Sequence, residues 1–363
     1  GAYARISPAA FDRLAPFQWP QPAGTAPKET RFFAEGQFFT PDRRARLVAT
    51  PFNAIHNAAP MDFPLVLNTG RVRDQWHTMT RTGKAARLTA HIAEPFVEVH
   101  PADAERFGLS AAGLAVVRSR HGSACVRVQI STSQQRGSVF VPIHWTDQFA
   151  SSGRIDAVVQ ADVDPVSGQP GLKQTYVSLA PFAAAWFAFA VSRARPDVAG
   201  MDYWAIAPAK GGWRAEVAGS GLPADAAGLA RRWLGLTAND GHNLLSYVDR
   251  ATGSCRFAAF HGEHLAGAVF FARAPVAVSR SCAVEQLAFS SHANSEGLRL
   301  LAGRPGAAVK DRGAIVCACF EVGANEIGEA IAAGCASVEA VGHASKAGTN
   351  CGSCRSEIGR LIR

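Results

Sequence analysis

Eight cysteines lie in the chain, and five of them, Cys317, Cys319, Cys335, Cys351 and Cys354, crowd its C-terminal end. Four of the five form two tight pairs, Cys317-Ala318-Cys319 and Cys351-Gly352-Ser353-Cys354, separated by the 320–350 segment. A C-x-C and a C-x2-C brought together offer four thiolates, the ligand set of a [2Fe–2S] cluster or of an all-cysteine zinc site. The residues between the ligands are small, so the backbone can curl and aim N–H groups at sulfur, which stabilises thiolate charge. Spacing alone leaves iron and zinc both open, and four unliganded thiols are the plain alternative. Cys335 fits neither pair and reads as structural. Cys125, Cys255 and Cys282 stand alone and read as ordinary thiols. So uneven a distribution in so long a chain is not that of a secreted disulfide framework.

The segment between the two pairs has to fold them together, and its pattern is helical. Ile327, Ala330 and Ile331 recur at helical spacing and Gly334 ends the run. Ser337 is placed to cap a second short helix through Val341. A third helix begins near Cys354 with Ile358, Leu361 and Ile362 on one face. That puts Cys351 and Cys354 at a helix N-terminus, where the dipole favours anions.

A second segment carries chemistry of another kind. Phe63-Pro64-Leu65-Val66-Leu67-Asn68 reads as a buried strand that runs into Thr69-Gly70-Arg71-Val72-Arg73-Asp74-Gln75-Trp76-His77-Thr78. A glycine after a strand lets a ligand approach the backbone. A hydroxyl, two guanidinium groups, an indole and an imidazole beside it can grip a pyrophosphate and stack on a ring system. A polar loop with a structural tryptophan is the competing reading.

Short strands and glycine turns come next along the chain, the pattern of a β-barrel. Phe96–Val99 is a strand ended by Pro101, with a short helix stopped at Gly108. Leu114–Ser119 and Ala124–Ile130 pair across His121-Gly122, and Gly137–Pro142 is a further strand. Phe182–Val191 is apolar without a break and reads as a buried helix. Beyond it, Asp225–Leu234 is a helix with Arg231 and Arg232 near its end, and Leu244–Asp249, Cys255–Phe260 and Leu265–Phe271 form a three-stranded meander. No glycine-rich phosphate motif accompanies the meander, so neither flavin nor nicotinamide binding is expected there. His261 and His264 flank a turn and read as a solvated loop. Ala302–Gly306 reads as a linker.

Length and composition bound the rest. At 363 residues the chain has room for two or three domains. With 48% hydrophobic and 18% charged residues it is globular, not disordered. No apolar run reaches the ~18 residues of a membrane span, so no membrane partner is expected. The net charge of +8 allows an anionic ligand or an acidic partner. No dense basic run with interleaved aromatics points to nucleic acid. The chain starts at Gly1, not Met, and is expected to be a piece of a longer protein, so any targeting signal falls outside view.

Two resemblances sharpen these readings. Cys317-Ala-Cys319, Gly334, Ser337-Val338 and Lys346-Ala-Gly-Thr-Asn-Cys351-Gly-Ser-Cys354 closely resemble the bacterioferritin-associated-ferredoxin-like [2Fe–2S] domain, a small all-helical module. The resemblance implies iron, with Cys317, Cys319, Cys351 and Cys354 as ligands. The Thr-Gly-Arg…Trp-His-Thr loop, the His100-Pro101…Asp103-Ala104 helix and Asp164-Pro-Val-Ser-Gly-Gln-Pro170…Lys173 resemble the C-terminal domain of molybdopterin oxidoreductases. Within that family the resemblance is to assimilatory nitrate reductase catalytic subunits. Leu14–Pro20 and Gln37–Arg43 are similar to the segment that joins the catalytic domains to this one.

The family resemblance implies a multidomain mixed fold. Residues 1–60 would end the upstream domain and 61–182 would form a double-psi β-barrel for molybdopterin guanine dinucleotide. Residues 183–310 would be a small α+β region, weakly similar to the C-terminal domain of flavin-dependent reductases, and 311–363 the [2Fe–2S] domain. Thr69, Gly70, Arg71, Trp76, His77, Thr78 and Lys173 would contact the dinucleotide. Asp156 stands where relatives often have Asn, and a carboxylate there suits an amine or guanidinium edge such as guanine, not a phosphate. His144 and Trp145 would border the substrate funnel, His144 as a general base or as a structural residue. The molybdenum ligand and a [4Fe–4S] cluster would lie in N-terminal domains outside this chain, so the chain alone would not turn over nitrate. The implied function is cytoplasmic reduction of nitrate to nitrite in assimilation, with electrons from a flavoprotein reductase, ferredoxin or flavodoxin. Another molybdopterin enzyme of the formate dehydrogenase type and a non-catalytic iron–sulfur electron carrier are the alternatives.

Overall fold

Alternation decides the first strand. Leu65, Leu67 and Thr69 point one way, so the two leucines enter a core and Thr69 goes in behind them. In the structure, a computed structural model, this is β1 (Leu65–Gly70) of a closed barrel. The structure describes residues 1–29, 31–49, 59–237, 240–289, 296–303 and 310–363. By its contacts the chain divides into two units, Gly1–Ala54 and Ile55–Arg363.

The first unit is irregular in its described residues. Its one helix there, α1 (Pro8–Phe11), is capped by Ser7, whose Oγ accepts from Ala10 N–H.

In the second unit, β1 joins β2 (Phe96–Val99), β3 (Leu114–Arg118), β4 (Ser123–Ile130), β5 (Ser138–Pro142) and β6 (Thr175–Pro181). The order around the barrel is β1-β5-β2-β4-β3-β6. The pairs β1–β5 and β2–β4 are parallel and the others antiparallel. Valines of β2 to β5, with Leu65 and Leu67, fill the interior. Two short helices flank the strands, α2 (Ala86–Thr89) and α3 (Pro101–Arg106). His100 caps α3 by accepting from Ala102 N–H through Nδ1.

The apolar run after the barrel is not the helix its composition suggests. It forms strand β7 (Trp186–Ser192), buried along its whole length. A run buried on both faces has no alternation to betray it, so periodicity cannot separate it from a buried helix. The strand sits inside a six-stranded antiparallel sheet, β10-β11-β12-β7-β9-β8. The other members are β8 (Tyr203–Ala209), β9 (Gly212–Gly219), β10 (Asn243–Asp249), β11 (Ser254–His261) and β12 (His264–Ala272). The last three are the expected meander, extended by β7 into a larger sheet.

One face of this sheet packs on α4 (Ala226–Trp233), which Asp225 caps by accepting from Gly228 N–H. The other face packs on the outside of the barrel, on α5 (Arg280–Ala288) and on α6 (Glu296–Ala302). The odd residues of β4 face this way: Cys125 joins the shared core and the Arg127 guanidinium lies over the rings of Phe187 and Tyr203. His261 and His264 are exposed at the β11–β12 turn. The linker expected over 302–306 extends into residues outside those described.

The C-terminal region keeps the three expected helices, α7 (Ala324–Ala332), α8 (Val338–Ser345) and α9 (Arg355–Ile362). Ser337 caps α8, its Oγ accepting from Ala340 N–H at 3.1 Å. A short ribbon that the helical pattern hid, β13 (Ile315–Cys317) against β14 (Val322–Gly323), carries the first cysteine pair. Val341, Ile327 and Ile358 bring the three helices onto a small core that includes Cys317 and Cys354.

Candidate cofactor sites

The four cysteines meet in two pairs. Cys319 Sγ lies 3.4 Å from Cys351 Sγ, near the surface. Cys317 and Cys354, each 2% exposed, are in hydrogen-bond contact with each other in the core. One pair is therefore outer and the other inner. The ribbon turn sets Cys317 and Cys319, and the start of α9 sets Cys354, whose carbonyl accepts from Ile358 N–H. The backbone N–H of Gly348 donates to Cys354 sulfur, and that of Ser353 donates to Cys351 sulfur. Gly348 takes the left-handed conformation (φ +79°) in the turn that brings its N–H there.

Burial pushes the Cys354 thiol up to about 11. The Ser353 hydroxyl and N–H, together with Cys319, bring Cys351 below the usual thiol range. Among the described residues no three metal-ligating side chains close on a single ion. Two sulfur pairs, each with N–H donors, match the needs of a dinuclear cluster, in which each iron takes two thiolates. Cys335 packs against the same core as a small apolar side chain. Burial lifts Cys125 to about 12 and Cys282 to about 11, the behaviour of inert thiols.

The second site begins where β1 leaves the barrel. Thr69 is buried, and its hydroxyl donates to Leu172 C=O at 2.7 Å. The Lys173 ammonium donates to Thr69 C=O. Gly70 has no room for a side chain, because the Phe140 ring lies 2.8 Å from where a Cβ would stand, and Lys173 Nζ is 3.6 Å from the same point. Thr69, Gly70 and Lys173 are thus brought together. Arg71 lies over the exposed Trp76 ring, 5.4 Å from its centroid, and His77 meets the same ring edge-on at 4.4 Å. Thr78 is exposed on the same loop. Among the described residues neither Arg71 nor Lys173 takes part in an ion pair, so both cations can meet a phosphate.

This loop is strained and pinned. Asp74, His77 and Met79 all have positive φ, a conformation that costs non-glycine residues free energy and is held only where surroundings demand it. Met79 is buried, and Thr82 Oγ1 accepts from Trp76 N–H while donating to Gln75 Oε1. His144 is the main pin. Its Nε2 accepts from Val72 N–H at 3.0 Å and its Nδ1 lies 2.6 Å from His77 C=O, which sets the proton on Nδ1. Burial pulls its pKa below the ordinary histidine value.

Two residues expected at the substrate funnel are therefore elsewhere. His144 is fully buried with both nitrogens spent on backbone, so it cannot act as a general base in this geometry. Trp145 is 2% exposed and packs in the core shared by barrel and sheet. The strand end that carries them turns inward to anchor the loop, not outward to line a cleft. Asp156 sits exposed on the 3-10 turn Ile155–Ala157, and among the described residues no hydrogen bond or ion pair ties it to the Thr69–Thr78 loop.

Sequence reasoning missed a third cluster. Arg73 donates to Glu357 Oε2 through Nη2 (2.7 Å) and Nε (3.2 Å), to the Val316 carbonyl and to Asp74 Oδ2. His91 lies 3.3 Å from both Asp74 and Glu357. Burial pushes Glu357 up, but hydrogen bonds from His91 and Arg73 outweigh it and hold the carboxyl at about 2. The cluster joins the barrel loop to the cysteine domain across 284 positions of sequence. Arg73 was visible as one of two guanidinium groups in the loop; nothing local marked Glu357 as its partner.

Two known families match the segments that carry these sites. The family described as "Molydopterin dinucleotide binding domain" matches residues 65–176, and the "BFD-like [2Fe-2S] binding domain" matches 315–363. A nitrate reductase of Klebsiella oxytoca is 37% identical over 385 aligned residues, covering 100% of this chain and 40% of that protein. The assimilatory nitrate reductase catalytic subunit of Bacillus subtilis is 33% identical, covering 49% of this chain and 25% of its own length. An F420-dependent formate dehydrogenase subunit alpha of Methanocaldococcus jannaschii is 29% identical over 32% of this chain and 18% of its own. The chain spans 40% or less of the length of these relatives. Residues 65–176 thus belong to the molybdopterin dinucleotide-binding domains and residues 315–363 to the BFD-like [2Fe–2S] domains, in a chain homologous over its whole length to a nitrate reductase.

Proposed function

We propose that this chain is the cofactor-gripping and electron-relaying part of a molybdenum-dependent nitrate reductase that works in cytoplasmic nitrate assimilation. The observation that carries the reading is the pairing, in one unit, of a dinucleotide-binding barrel with a four-cysteine domain, along a sequence that aligns throughout with a nitrate reductase. The formate dehydrogenase reading has less support, because that relative aligns with only 32% of the chain.

In this proposal Lys173 and Arg71 meet the phosphates, Gly70 lets Phe140 and Lys173 pack close at the end of β1, and Trp76 and His77 offer ring faces. Thr69, held by Leu172 C=O, fixes the end of β1, and Thr78 adds a hydroxyl. Asp156 takes no part in the dinucleotide grip. The molybdenum centre supplies the oxygen-atom chemistry, and the protein's part is to hold and orient. Cys317, Cys319, Cys351 and Cys354 hold the [2Fe–2S] cluster, with the outer pair toward an external donor that is a flavoprotein reductase, ferredoxin or flavodoxin.

The test is metal counting and EPR on the anaerobically purified chain, before and after dithionite. Two irons per chain and a rhombic signal on reduction are expected. Zinc with no redox signal would remove the relay from the proposal.

A further inference from the structure

We propose that Arg73 is a positioning residue that latches the inner cysteine pair onto the dinucleotide loop, so that one loop holds both cofactors in register. The inference rests on the function proposed above and assigns a role to a residue whose side-chain bonds join the barrel loop to the cysteine domain. Two residues separate Gly70, at the dinucleotide end of the loop, from Arg73. Arg73 in turn donates to the carbonyl of Val316, whose next residue is Cys317. Two further bonds go to Glu357, one helical turn beyond Cys354, and a fourth goes to Asp74. A single guanidinium fork therefore touches the chain beside each member of the inner pair. A planar fork does this with fixed geometry, which a lysine cannot reproduce.

The surroundings are built to keep it there. The Arg73 side chain is 16% exposed, and Asp74 and Glu357 flank it on two sides. His91 stands 3.3 Å from each of the two carboxylates. Asp74 adopts φ +69° while it pairs with Arg73, so the loop accepts backbone strain at this contact. The outer pair, Cys319 and Cys351, makes no such bond to the loop among the described residues. The asymmetry gives the cluster a solvent side and a loop side.

The experiment compares the full chain with Arg73→Gln, Arg73→Lys and Glu357→Gln, all purified anaerobically with their cluster. The midpoint potential comes from EPR-monitored titration, and hydrogen exchange reads the amides of residues 72–79. Arg73→Gln removes a positive charge and should make reduction of the cluster about tenfold less favourable, ~59 mV for a one-electron couple. It should also raise exchange in the loop about tenfold. Arg73→Lys should restore the potential but not the protection, because charge returns and the fork does not. Glu357→Gln should also expose the loop while moving the potential upward, since it deletes a negative charge; it carries the test if Arg73→Gln does not fold.

Unchanged exchange in both Arg73→Gln and Glu357→Gln would overturn the latch even if the potential moved, because charge alone would then explain the shift. A wild-type chain holding zinc without a redox signal would overturn the proposed function instead, and the exchange measurement would still decide the latch.

Discussion

Two arginine–carboxylate networks tie the 55–363 unit together, and they differ in what stands at their ends. The first lies between barrel and sheet. Arg127 grips Glu94 with two bonds of 3.0 Å, Tyr203 donates to the same carboxylate, and Glu216 is met by Arg214 and Arg280. Every end of that network is a strand, loop or helix of the scaffold. The second network is Arg73, Asp74, His91 and Glu357, and its ends are a strained loop on one side and cysteine-bearing segments on the other. The chemistry of the two is alike, so residue type does not tell architecture from function here. What the network abuts does.

The contrast can be broken most sharply at Glu216. It is 4% exposed, and burial alone would raise its pKa, yet the guanidinium groups of Arg280 and Arg214 hold it below the usual value. Glu216→Gln leaves both arginines uncompensated in the interior and should cost ~3–5 kcal/mol of stability. Chemical denaturation should see that loss, while the EPR signal of the folded fraction stays unchanged. A change in the signal would mean that the scaffold network also reaches the cluster.

Next in size is the pin under the loop. His144→Ala removes two bonds to backbone and leaves Val72 N–H and His77 C=O without partners, a cost of about 2–4 kcal/mol. Hydrogen exchange should place the loss at residues 72–79 first, and dinucleotide affinity should fall with it.

Smaller still is the pH response, in which the two histidines packed against the loop, His144 and His91, act in opposite senses. His144 is kept neutral chiefly by burial, which outweighs the opposing pull of its hydrogen bond to His77 C=O, and the charge of Arg71 adds to the effect. Its folded pKa is depressed, so its contribution is whole above ~6.5 and is lost as pH falls through the folded value. Burial also pulls His91 down, but the carboxylates of Asp74 and Glu357 outweigh both burial and the charge of Arg73, and its pKa is raised. Its contribution is whole below ~6.5 and is lost as pH rises through the folded value. Exchange at residues 72–79 should therefore rise on both sides of neutrality. His91→Gln should flatten only the alkaline arm, and a flattened acid arm in that variant would contradict the assignment.

The smallest effect is expected at the surface. Arg232 holds Asp197 with the same two-bond geometry, at 2.8 and 3.0 Å, but in solvent. Asp197→Asn should change stability by no more than ~1 kcal/mol, and the little there is should vanish in salt.

Local sequence carried much of the site. Cys317, Cys319, Cys351 and Cys354 announced themselves by spacing, and Ser337 and Gly334 marked helix ends because caps act within one turn. Short apolar runs bounded by glycine turns marked the strands that became β1 to β5. The run that became β7 misled because burial on both faces erased its period. His144 and Trp145 sit just past a strand end whose direction, inward or outward, no local rule fixes.

The sequence by itself thus determined the candidate ligand set, the residue types of the loop and the caps, since each depends on neighbours a few residues apart. Tertiary structure alone decided that the cysteines fall into an inner and an outer pair and that His144 is a pin. It alone brought Arg73 to Glu357, 284 positions away. Such pairings carry a chain-closure cost that is recovered only through the packing of barrel, sheet and helices together. The bond therefore exists as a property of the assembled unit, and no stretch of sequence contains it.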